Sequence, residues 1–325
     1  MKKVLIITNS LEKNIECVLS ELTQRGQEYI VLTTNNLLDQ NPGIYLRTNQ
    51  DSFLILNGQK IEMEQIKSVW YRRPQKIEVS EKLPREQRLF IGDEFRTALW
   101  SLYTTLPVYW MNHPLNSHYL LEHNKLYQLK LAAEVGIKIP DTVITNIPET
   151  LLQFCSKHGG SVAIKVLRSR IFQETHTTWG IYTTRVSYEY LSQHVNDILL
   201  APLIAQEYIK KLIELRVTVV EQQIFACAIH SQDSEKTKDD WRRYDFKNVK
   251  HEPYKMPSEI EDKIRLFMIR CGIVYGAIDM IITPNHNHVF LEVNPSGQYT
   301  WIEALTEMPI TEAIVDALIN PPSVM

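Results

Sequence analysis

The chain has 325 residues, of which 44% are hydrophobic and 22% charged, a composition typical of a globular protein with two or three domains. Its 35 Lys and Arg against 38 Asp and Glu give a formal charge of -3, which argues against general binding to nucleic acid or to an anionic membrane. The sequence has no apolar stretch long enough for a transmembrane helix and no signal-peptide core. We therefore expect a cytoplasmic protein without a membrane or nucleic-acid partner.

The common cofactor fingerprints are missing from the sequence. Four cysteines form no C-x-x-C pair, and ten histidines form no H-E-x-x-H motif, so neither residue type indicates zinc. The eleven glycines form neither G-x-G-x-x-G nor G-x-x-x-x-G-K. The sequence therefore predicts neither a dinucleotide-binding Rossmann fold nor a P-loop.

The first part of the chain, residues 1–114, predicts a domain that opens with a β-α-β unit. Its predicted elements are, in order, strand 4–8, helix 15–22, strands 29–33, 53–56, 60–63 and 68–71, and helix 85–106. The dipeptide Asn57-Gly58, between two of these strands, is a strong signal for a β-hairpin.

The rest of the chain predicts two further units, residues 115–204 and 205–325, and the whole protein a mixed α/β (α+β) class. The predicted elements are helix 116–135, strands 162–167 and 180–186, helix 188–200, strands 215–220 and 224–229, helix 258–271, and strands 276–283 and 289–294. We expect the charged stretch 233–243 to be an exposed loop.

A predicted hairpin near the C-terminus carries the most informative polar residues. If its turn is centred on residues 285 and 286, Asp279 lies directly opposite Glu292, and Asn294 shares the face of Glu292. Facing carboxylates destabilise a sheet, whereas two acids and an amide oxygen suit Mg²⁺ with substrate phosphates completing its shell. A solvated acidic face is the alternative. We expect the opposite face to be buried through Ile278, Met280, Leu291 and Val293.

Two lysines are candidates for binding a phosphate. Lys165 interrupts an apolar strand, where an ammonium group is costly unless an anion meets it. A strand lysine that faces water is the alternative. Lys125 lies near the start of an amphipathic helix, where an exposed side chain is the simpler interpretation.

Two charged pairs lie further along the chain. Glu214 and Arg216 share one strand face by the period of two, and an intrastrand salt bridge, worth little at a surface, is the alternative. Asp240 and Arg242 flank a tryptophan, and a charge pair in an exposed loop is the alternative there.

In chain order, these segments resemble the ATP-grasp fold, and the order is more specific than any one piece. The segments are 124–125, 163–165, 206–209, 214–216, 276–279 and 291–298. Segments 69–74, 228–232 and 240–242 narrow the resemblance to the microviridin-type ATP-grasp peptide ligases, which make graspetides, ribosomal peptides cross-linked by ω-ester or ω-amide bonds. The resemblance covers essentially the whole chain and implies an ATP-grasp fold with an N-terminal β-α-β pre-ATP-grasp domain.

The resemblance implies ATP and Mg²⁺ as cofactors. The residues that would bind ATP are Lys125 and Lys165 at the phosphates, Glu207, Tyr208 and Ile209 at adenine, and Glu214 at the ribose. The residues that would hold the metal are Asp279, Glu292 and Asn294. The catalytic residues would be Lys165 and Arg216, the latter stabilising the transferred phosphoryl group and the acyl phosphate.

The resemblance also implies a homodimer and a ribosomal precursor peptide, with a leader and a core, as the substrate. Between Lys165 and Gly180 the chain has no glycine, unlike many ATP-grasp enzymes, which close a glycine-rich loop over the phosphates. In the resembled ligases this hairpin helps to bind the leader. The residues that would contact the peptide are Arg72, Arg73, Gln173, Glu174, His230, Asp240 and Arg242.

The implied reaction activates an Asp or Glu side chain of the peptide with the γ-phosphate of ATP. A Thr or Ser hydroxyl, or a Lys amine, then attacks and closes a ring. The nearest alternative is an ATP-grasp ligase that joins an amino acid to a small molecule or a protein tail. From another class, the chain would be a non-catalytic ATP-grasp module that binds peptide, and the complete set of phosphate and metal residues argues against it. The sequence does not determine whether the product is an ester or an amide, how many rings form, or what the core-peptide sequence is.

Overall fold

The computed structural model describes residues 2–48, 51–168, 171–174, 177–243 and 245–322, with 171–174 and 177–180 described by their backbone. Within these ranges no helix has both the length and the apolar character that crossing a bilayer requires.

Strands and helices alternate along the first half of the chain, and long antiparallel strands dominate the second. The strands are β1 (Lys3–Thr8), β2 (Tyr29–Thr33), β3 (Gly43–Tyr45), β4 (Phe53–Leu56), β5 (Gln59–Glu62), β6 (Ile66–Tyr71), β7 (Tyr109–Met111), β8 (Thr142–Thr145), β9 (Ser161–Lys165), β10 (Ile171–Glu174), β11 (Thr177–Gly180), β12 (Thr184–Ser187), β13 (Leu203–Glu207), β14 (Ile213–Val220), β15 (Gln223–Ile229), β16 (His251–Pro253), β17 (Tyr275–Ile282) and β18 (His288–Asn294). The helices are α1 (Glu16–Gln24), α2 (Arg85–Thr105), α3 (Lys125–Glu134), α4 (Pro148–Lys157), α5 (Tyr188–Gln193), α6 (Val195–Leu200), α7 (Ser258–Cys271), α8 (Thr300–Thr306) and α9 (Ile310–Ile319).

The N-terminal sheet is parallel, in the order β2-β1-β6-β7. Its central strand β1 is apolar on both faces, because α1 and α9 cover one face and α2 the other. The predicted β-α-β opening is therefore confirmed. The hairpin β4-β5 turns at Asn57 and Gly58, whose φ angles of 51° and 78° are those that its two-residue turn requires.

Two larger antiparallel sheets form most of the remaining described fold, and two smaller ones, β3-β4-β5 and β10-β11, accompany them. A four-stranded sheet, β12-β9-β13-β8, packs against α4, α5 and α6. The β10-β11 hairpin lies between β9 and β12 along the chain. A five-stranded sheet, β16-β15-β14-β17-β18, carries α3 and α7 on one face. β17 lies between β14 and β18 in this sheet, and every one of its residues is buried.

Three predicted elements are interrupted in the structure. The predicted helix 116–135 is a π-helical segment, Leu115–Leu121, followed by α3, because the Asn124 side chain caps a new helix by accepting from the Tyr127 N–H at 3.2 Å. The predicted helix 188–200 is two helices that meet at His194. The predicted strand 180–186 is divided between the end of β11 and the start of β12.

The expectation of an exposed loop at 233–243 is wrong. Thr237, Asp240 and Trp241 are buried, and the side chain of Asp240 accepts a hydrogen bond from the Thr183 N–H at 3.0 Å. Tertiary contacts therefore hold this charged segment against the rest of the protein, and they bring it to the site described below.

Asn112, directly after β7, joins the N-terminal sheet to β17. Its Nδ2 donates to the carbonyls of Tyr275 (2.7 Å) and Pro295 (3.0 Å), and its Oδ1 accepts from the N–H groups of Val274 (2.8 Å) and Tyr275 (3.0 Å). Because Asn112 is only 2% exposed, water cannot replace these four hydrogen bonds.

We expect Asn112→Ala to lower the free energy of unfolding by about 2–4 kcal/mol, since it leaves buried backbone groups without partners. Asn116→Ala, which removes one hydrogen bond to the Gly272 carbonyl at an exposed position, should cost about 0.5–1 kcal/mol. Urea denaturation of the two variants measures the difference. Equal losses would show that Asn112 does not join the two sheets.

Candidate active site

The predicted pairing of Asp279 with Glu292 is confirmed, although the turn differs from the expected one. Ile282 pairs with His288, so the loop holds five residues, an odd number. A β-bulge then inserts Leu291 between the pairs Met280–Phe290 and Asp279–Glu292, and this extra residue restores the register at the site.

The bulge also explains why the prediction for Leu291 is wrong. In a β-bulge two residues of one strand oppose a single residue of the other, and here Leu291 and Glu292 both face the cavity that Asp279 lines. Phe290 occupies the core position instead and is fully buried against the Phe267 ring, at 4.9 Å. The buried positions predicted for Ile278, Met280 and Val293 are confirmed.

Positive side chains surround the two facing carboxylates. Nη1 of Arg216 lies 2.9 Å from Oδ1 of Asp279, and both residues are buried. Lys125 forms a hydrogen-bonded ion pair with Glu292, and Nη1 of Arg242 lies 3.8 Å from the other oxygen of that carboxylate. The side chain of Lys125 is 16% exposed, so its charge lies in the site and not in solvent.

These cations and the burial set the protonation of the site. Burial raises the pKa of Glu292, but Lys125, Arg242 and Lys165 outweigh it and hold the pKa well below its usual value. For Asp279 burial is the stronger effect, and its pKa is raised in spite of Arg216. Burial also lowers the pKa of Lys165 to about 8, against the attraction of Glu292.

An inner cavity collects most of the residues predicted to bind ATP. We use this name for the space lined by Pro140, Ala163, Lys165, Glu207, Tyr208, Ile209, Lys211, Glu214, Ile281, Leu291 and their neighbours. Its lining combines the apolar side chains of Ala163, Ile209, Ile281 and Leu291 with the charged ones of Lys165, Asp279 and Glu292. Such a mixed lining suits a ligand with a flat apolar part and an anionic part.

Glu214, which the resemblance assigns to the ribose, is a buried acid in the inner cavity. Its Oε1 accepts from Nζ of Lys211 at 3.0 Å, whereas its Oε2 has no hydrogen-bond partner among the described residues. Burial raises the pKa of Glu214. A buried acceptor without a donor is costly, so a ligand hydroxyl at this oxygen would remove a penalty.

The segment 239–242 closes the inner cavity from the side. Asp240 accepts from Nε of Arg242 at 2.9 Å and from its Nη2 at 2.6 Å. Tyr208 donates its hydroxyl hydrogen to Asp239 at 2.9 Å, and Nζ of Lys211 donates to the Asp239 carbonyl at 2.8 Å. Asp240 and Arg242 are therefore parts of the site, and the alternative of a solvated charge pair is wrong.

An outer cavity lies on the other side of the carboxylates, lined by Arg73, Glu122, His123, Lys125, Arg216, Trp241, Arg242, Asp279, Glu292, Asn294, Gln298 and Trp301 with a few neighbours. It shares Trp241, Arg242, Asp279 and Glu292 with the inner cavity. The amide of Asn294 accepts from the Ser296 N–H at 3.0 Å and remains exposed. The two cavities thus meet at the carboxylates.

The structure brings the predicted ATP and metal residues together but not all of the predicted peptide residues. Arg72 is fully buried and donates from Nη1 to the Gly297 carbonyl at 2.9 Å, so a direct contact with a peptide does not fit its position. His230 pairs with Glu252 at 2.8 Å and lines neither cavity. The side chains of Gln173 and Glu174, in β10, lie outside the described ones.

Sequence reasoning missed several residues that line the site, among them Lys211, Trp241 and Trp301. Lys211 stands three residues before Glu214, and this spacing was the available signal. Trp241 lies between Asp240 and Arg242, but its burial depends on contacts with distant segments. The part of the chain that the structure describes has no group of three or more His, Cys, Asp or Glu able to hold a metal, and the predicted set is two carboxylates with one amide.

Residues 122–318 match the family model of the RimK-like ATP-grasp domain, about three fifths of the chain. The chain belongs to this ATP-grasp family. Residues 3–118 match the MvdD pre-ATP grasp domain. The ATP-grasp fold with an N-terminal pre-ATP-grasp domain, which the motifs implied, is therefore confirmed.

Solved structures resemble the chain over its whole length. An ATP-grasp ligase from Chryseobacterium gregarium that is RiPP-associated, in complex with ADP and a leader and core peptide, has a TM-score of 0.89 and 29% identity, covering 100% of this chain and 98% of that one. The macrocyclase MdnC from Microcystis aeruginosa, bound with precursor peptide MdnA, has a TM-score of 0.85 and 29% identity, covering 98% and 100%. The resemblance to the graspetide maturases is thereby confirmed.

A curated relative of a different kind matches part of the ATP-grasp region. The α-aminoadipate–LysW ligase LysX from Sulfurisphaera tokodaii is 23% identical over 195 residues, which are 59% of this chain and 66% of that ligase, slightly less than two thirds of its length.

We expect Glu292→Gln to lower the free energy of unfolding by about 1–3 kcal/mol at pH 7, because Lys125 and Arg242 lose their common partner. Because the pKa of Glu292 is lowered in the folded protein, the stabilisation is complete above the ordinary value of 4.5 and is lost as the pH falls below it. The difference between the two proteins should therefore be constant from pH 5 to 8 and shrink in acid.

Glu261→Gln is the matched control, since it removes a surface ion pair with Arg265 on α7. Its effect should be about 0–0.5 kcal/mol at every pH. Urea denaturation at several pH values measures both variants. A Glu292→Gln protein as stable as the control variant would show that the cations do not depend on this carboxylate.

Proposed function

We propose that this protein is an ATP- and Mg²⁺-dependent macrocyclase of a ribosomal precursor peptide. It joins an Asp or Glu side chain to a Thr or Ser hydroxyl as an ω-ester, or to a Lys amine as an ω-amide. The observation that carries the proposal is the meeting of the two cavities at the Asp279–Glu292 pair, with Lys125, Lys165, Arg216 and Arg242 around it. Full-length similarity at 29% identity to two ligases with bound peptides supports the choice of substrate.

In this proposal the inner cavity binds ATP. Glu207 and the backbone of Tyr208 and Ile209 hold adenine between apolar walls, and the free Oε2 of Glu214 accepts a hydrogen bond from a ribose hydroxyl. Lys165 and Lys125 bind the phosphates, which gives the buried ammonium group of Lys165 the anion that its environment requires.

The donor set at the junction fits a hard divalent cation. Two carboxylate oxygens from neighbouring strands and the amide oxygen of Asn294 are ligands that suit Mg²⁺, and Mg²⁺ completes its shell with water and substrate phosphates. Asp279, Glu292 and Asn294 would hold the ion, and when bound it supplies charge neutralisation at the phosphates.

The remaining cations act on the reacting groups. A carboxylate does not acylate an alcohol at neutral pH because its oxide is a poor leaving group, whereas phosphate leaves readily from an acyl phosphate. Arg216 stabilises the phosphoryl group during its transfer to the carboxylate and again as it leaves. The attacking hydroxyl or amine comes from the peptide, so the enzyme needs no nucleophile of its own.

The outer cavity receives the peptide. Arg73 lines it and, with Arg242, provides positive charge for the substrate carboxylate, and Asp240 orients Arg242. Gln173 and Glu174 on the β10-β11 hairpin are kept as candidate leader contacts. The homodimer, the cytoplasmic location and the division into units 1–114, 115–204 and 205–325 stay predictions.

A second candidate is a ligase that joins a free amino acid to a protein tail, which the partial similarity to LysX favours. The two functions share the activation of a carboxylate by ATP. They differ in whether both reacting groups belong to one peptide, and product mass separates them.

Incubation with ATP, Mg²⁺ and the precursor peptide encoded beside the gene should lower the peptide mass by one water for each ring and form one ADP for each ring. Mild base then opens esters and spares amides. Lys165→Met should abolish the mass loss, whereas Lys157→Met, at an exposed position on α4 of the same unit, should leave it unchanged. A peptide that gains the mass of an amino acid would replace this proposal with the second candidate.

Binding of a non-hydrolysable ATP analogue should take up protons near pH 8. Because the pKa of Lys165 is lowered to about 8, this side chain is neutral in about half of the protein molecules at pH 8. Bound phosphates favour its protonated form, so binding should draw a proton from solution. The contribution of Lys165 to this uptake, measured as the difference from Lys165→Met, should vanish at pH 6.5, where Lys165 is already charged, and the affinity should fall as the pH rises above 8.

Calorimetric titrations in two buffers of different ionisation enthalpy measure this proton uptake. Lys165→Met should bind more weakly and without uptake at pH 8, and Lys157→Met should match the unmodified protein. Equal uptake in the Lys165→Met protein would contradict the assignment of Lys165 to the phosphates.

A further inference from the structure

Arg72 is a fully buried arginine that the proposed chemistry leaves without a role. It follows the last residue of β6, and its guanidinium lies against two aromatic rings, 5.5 Å from the centre of Trp70 and 5.9 Å from that of Tyr275. Its Nη1 donates to the Gly297 carbonyl at 2.9 Å. The N-terminal sheet therefore reaches the loop that follows β18.

Much of the hydrogen-bonding capacity of Arg72 is unused. Nε and Nη2 have no hydrogen-bond partner among the described residues, and Nη2 forms only a long ion pair with Oε1 of the buried Glu12, at 3.9 Å. Burying a charged group with unpaired donors is costly, and apolar residues of similar volume often stabilise a protein equally well or better. Stability alone therefore does not account for an arginine at this position.

The Gly297 carbonyl is held from two sides. It accepts from the hydroxyl of Tyr275 at 2.6 Å and from Arg72. Tyr275 is itself buried at the start of β17, four residues before Asp279. Two buried donors on one carbonyl fix the position of this peptide unit.

Gly297 lies directly against the guanidinium of Arg216. A Cβ atom at position 297 would lie 2.7 Å from Nη2 of Arg216 and 2.3 Å from Cβ of Ala277, so only glycine fits there. Nη2 of Arg216 also lies 3.4 Å from the Gln298 carbonyl. A shift of this loop would therefore move the guanidinium or leave it unsupported.

We infer that Arg72 is a positioning residue for Arg216: by fixing Gly297, it holds the Arg216 guanidinium at Asp279 and at the junction of the two cavities. The inference rests on the proposed function, in which Arg216 stabilises the transferred phosphoryl group. Arg72 touches neither ATP nor peptide, and it acts through the loop.

The test compares Arg72→Met with Lys67→Met. Lys67 lies on β6, the strand that Arg72 follows, and it also donates to a backbone carbonyl, that of Ile319 at 2.8 Å, but this carbonyl is at the end of α9. Both variants remove a cation that donates to the carbonyl of a distant residue, and of the two only Arg72 contacts the loop beside Arg216.

We expect Arg72→Met to lower kcat for peptide-dependent ADP release by about 10- to 100-fold, because small misplacements of a charge-stabilising group have effects of this size. Its KM for ATP should stay within about twofold, since the inner cavity is untouched. Lys67→Met should keep the original kcat even if it is less stable. An unchanged kcat in folded Arg72→Met would overturn the inference.

Two further variants keep the test decisive if Arg72→Met does not fold. Tyr275→Phe removes the other donor to the Gly297 carbonyl and should lower kcat less than Arg72→Met. Gly297→Ala combined with Ala277→Gly removes the closer clash and keeps the one with Arg216, so a folded double variant should be inactive. Full activity of both would overturn the inference.

A readout without turnover separates this inference from the proposed function. The Nε–H resonance of Arg216 in the ¹H–¹⁵N spectrum, identified by its loss in Arg216→Lys, should shift or broaden in Arg72→Met and not in Lys67→Met. This holds even if the precursor peptide is not a substrate. A resonance unchanged by Arg72→Met contradicts the positioning role, whereas a shifted resonance without any peptide-dependent ADP release contradicts the proposed function alone.

Discussion

Two carboxylates that face each other across neighbouring strands are the constraint on which the rest of the site depends. Directly paired residues of an antiparallel sheet have Cβ atoms about 4.5 to 5.5 Å apart, and like charges at that distance repel. Here the repulsion is offset by cations from four separate places: Arg216 on β14, Lys125 at the start of α3, Lys165 on β9 and Arg242 after a buried loop. The fold brings these four segments to one hairpin.

Local patterns made much of this arrangement predictable. The period of two along a strand places Glu214 and Arg216 on one face, and the pairing of neighbouring strands places Asp279 opposite Glu292. The dipeptide Asn57-Gly58 fixes the turn of the β4-β5 hairpin because only a few residues readily adopt positive φ angles. The order of the segments along the chain identified the ATP-grasp fold. All of these features depend on a few consecutive residues or on chain order, which a sequence displays directly.

The features that could not be predicted depend on distant contacts. Asp240 and Trp241 look like an exposed loop until Thr183 and the neighbouring aromatic rings cover them, and Lys125 looks exposed until Glu292 is beside it. Arg72 was predicted to contact the peptide, and the sequence does not reveal that it is buried. The residues that cover it are Trp70, Tyr275 and Gly297, and the last of these is 225 residues away in the chain. The bulge at Leu291 could not be predicted, because a five-residue loop followed by one extra residue gives the same Asp279–Glu292 pair as an even-length loop without a bulge.

That bulge has a consequence for how the cavity can change over evolution. In an ordinary strand every second side chain faces a binding site, and the others face the core. Here two consecutive residues, Leu291 and Glu292, both face the cavity. Leu291, in the wall of the cavity, and the carboxylate of Glu292 are therefore adjacent in sequence yet independent of the core. Position 291 is a place where substitution can alter the width of the pocket, while Phe290, one residue earlier, must remain matched to Phe267.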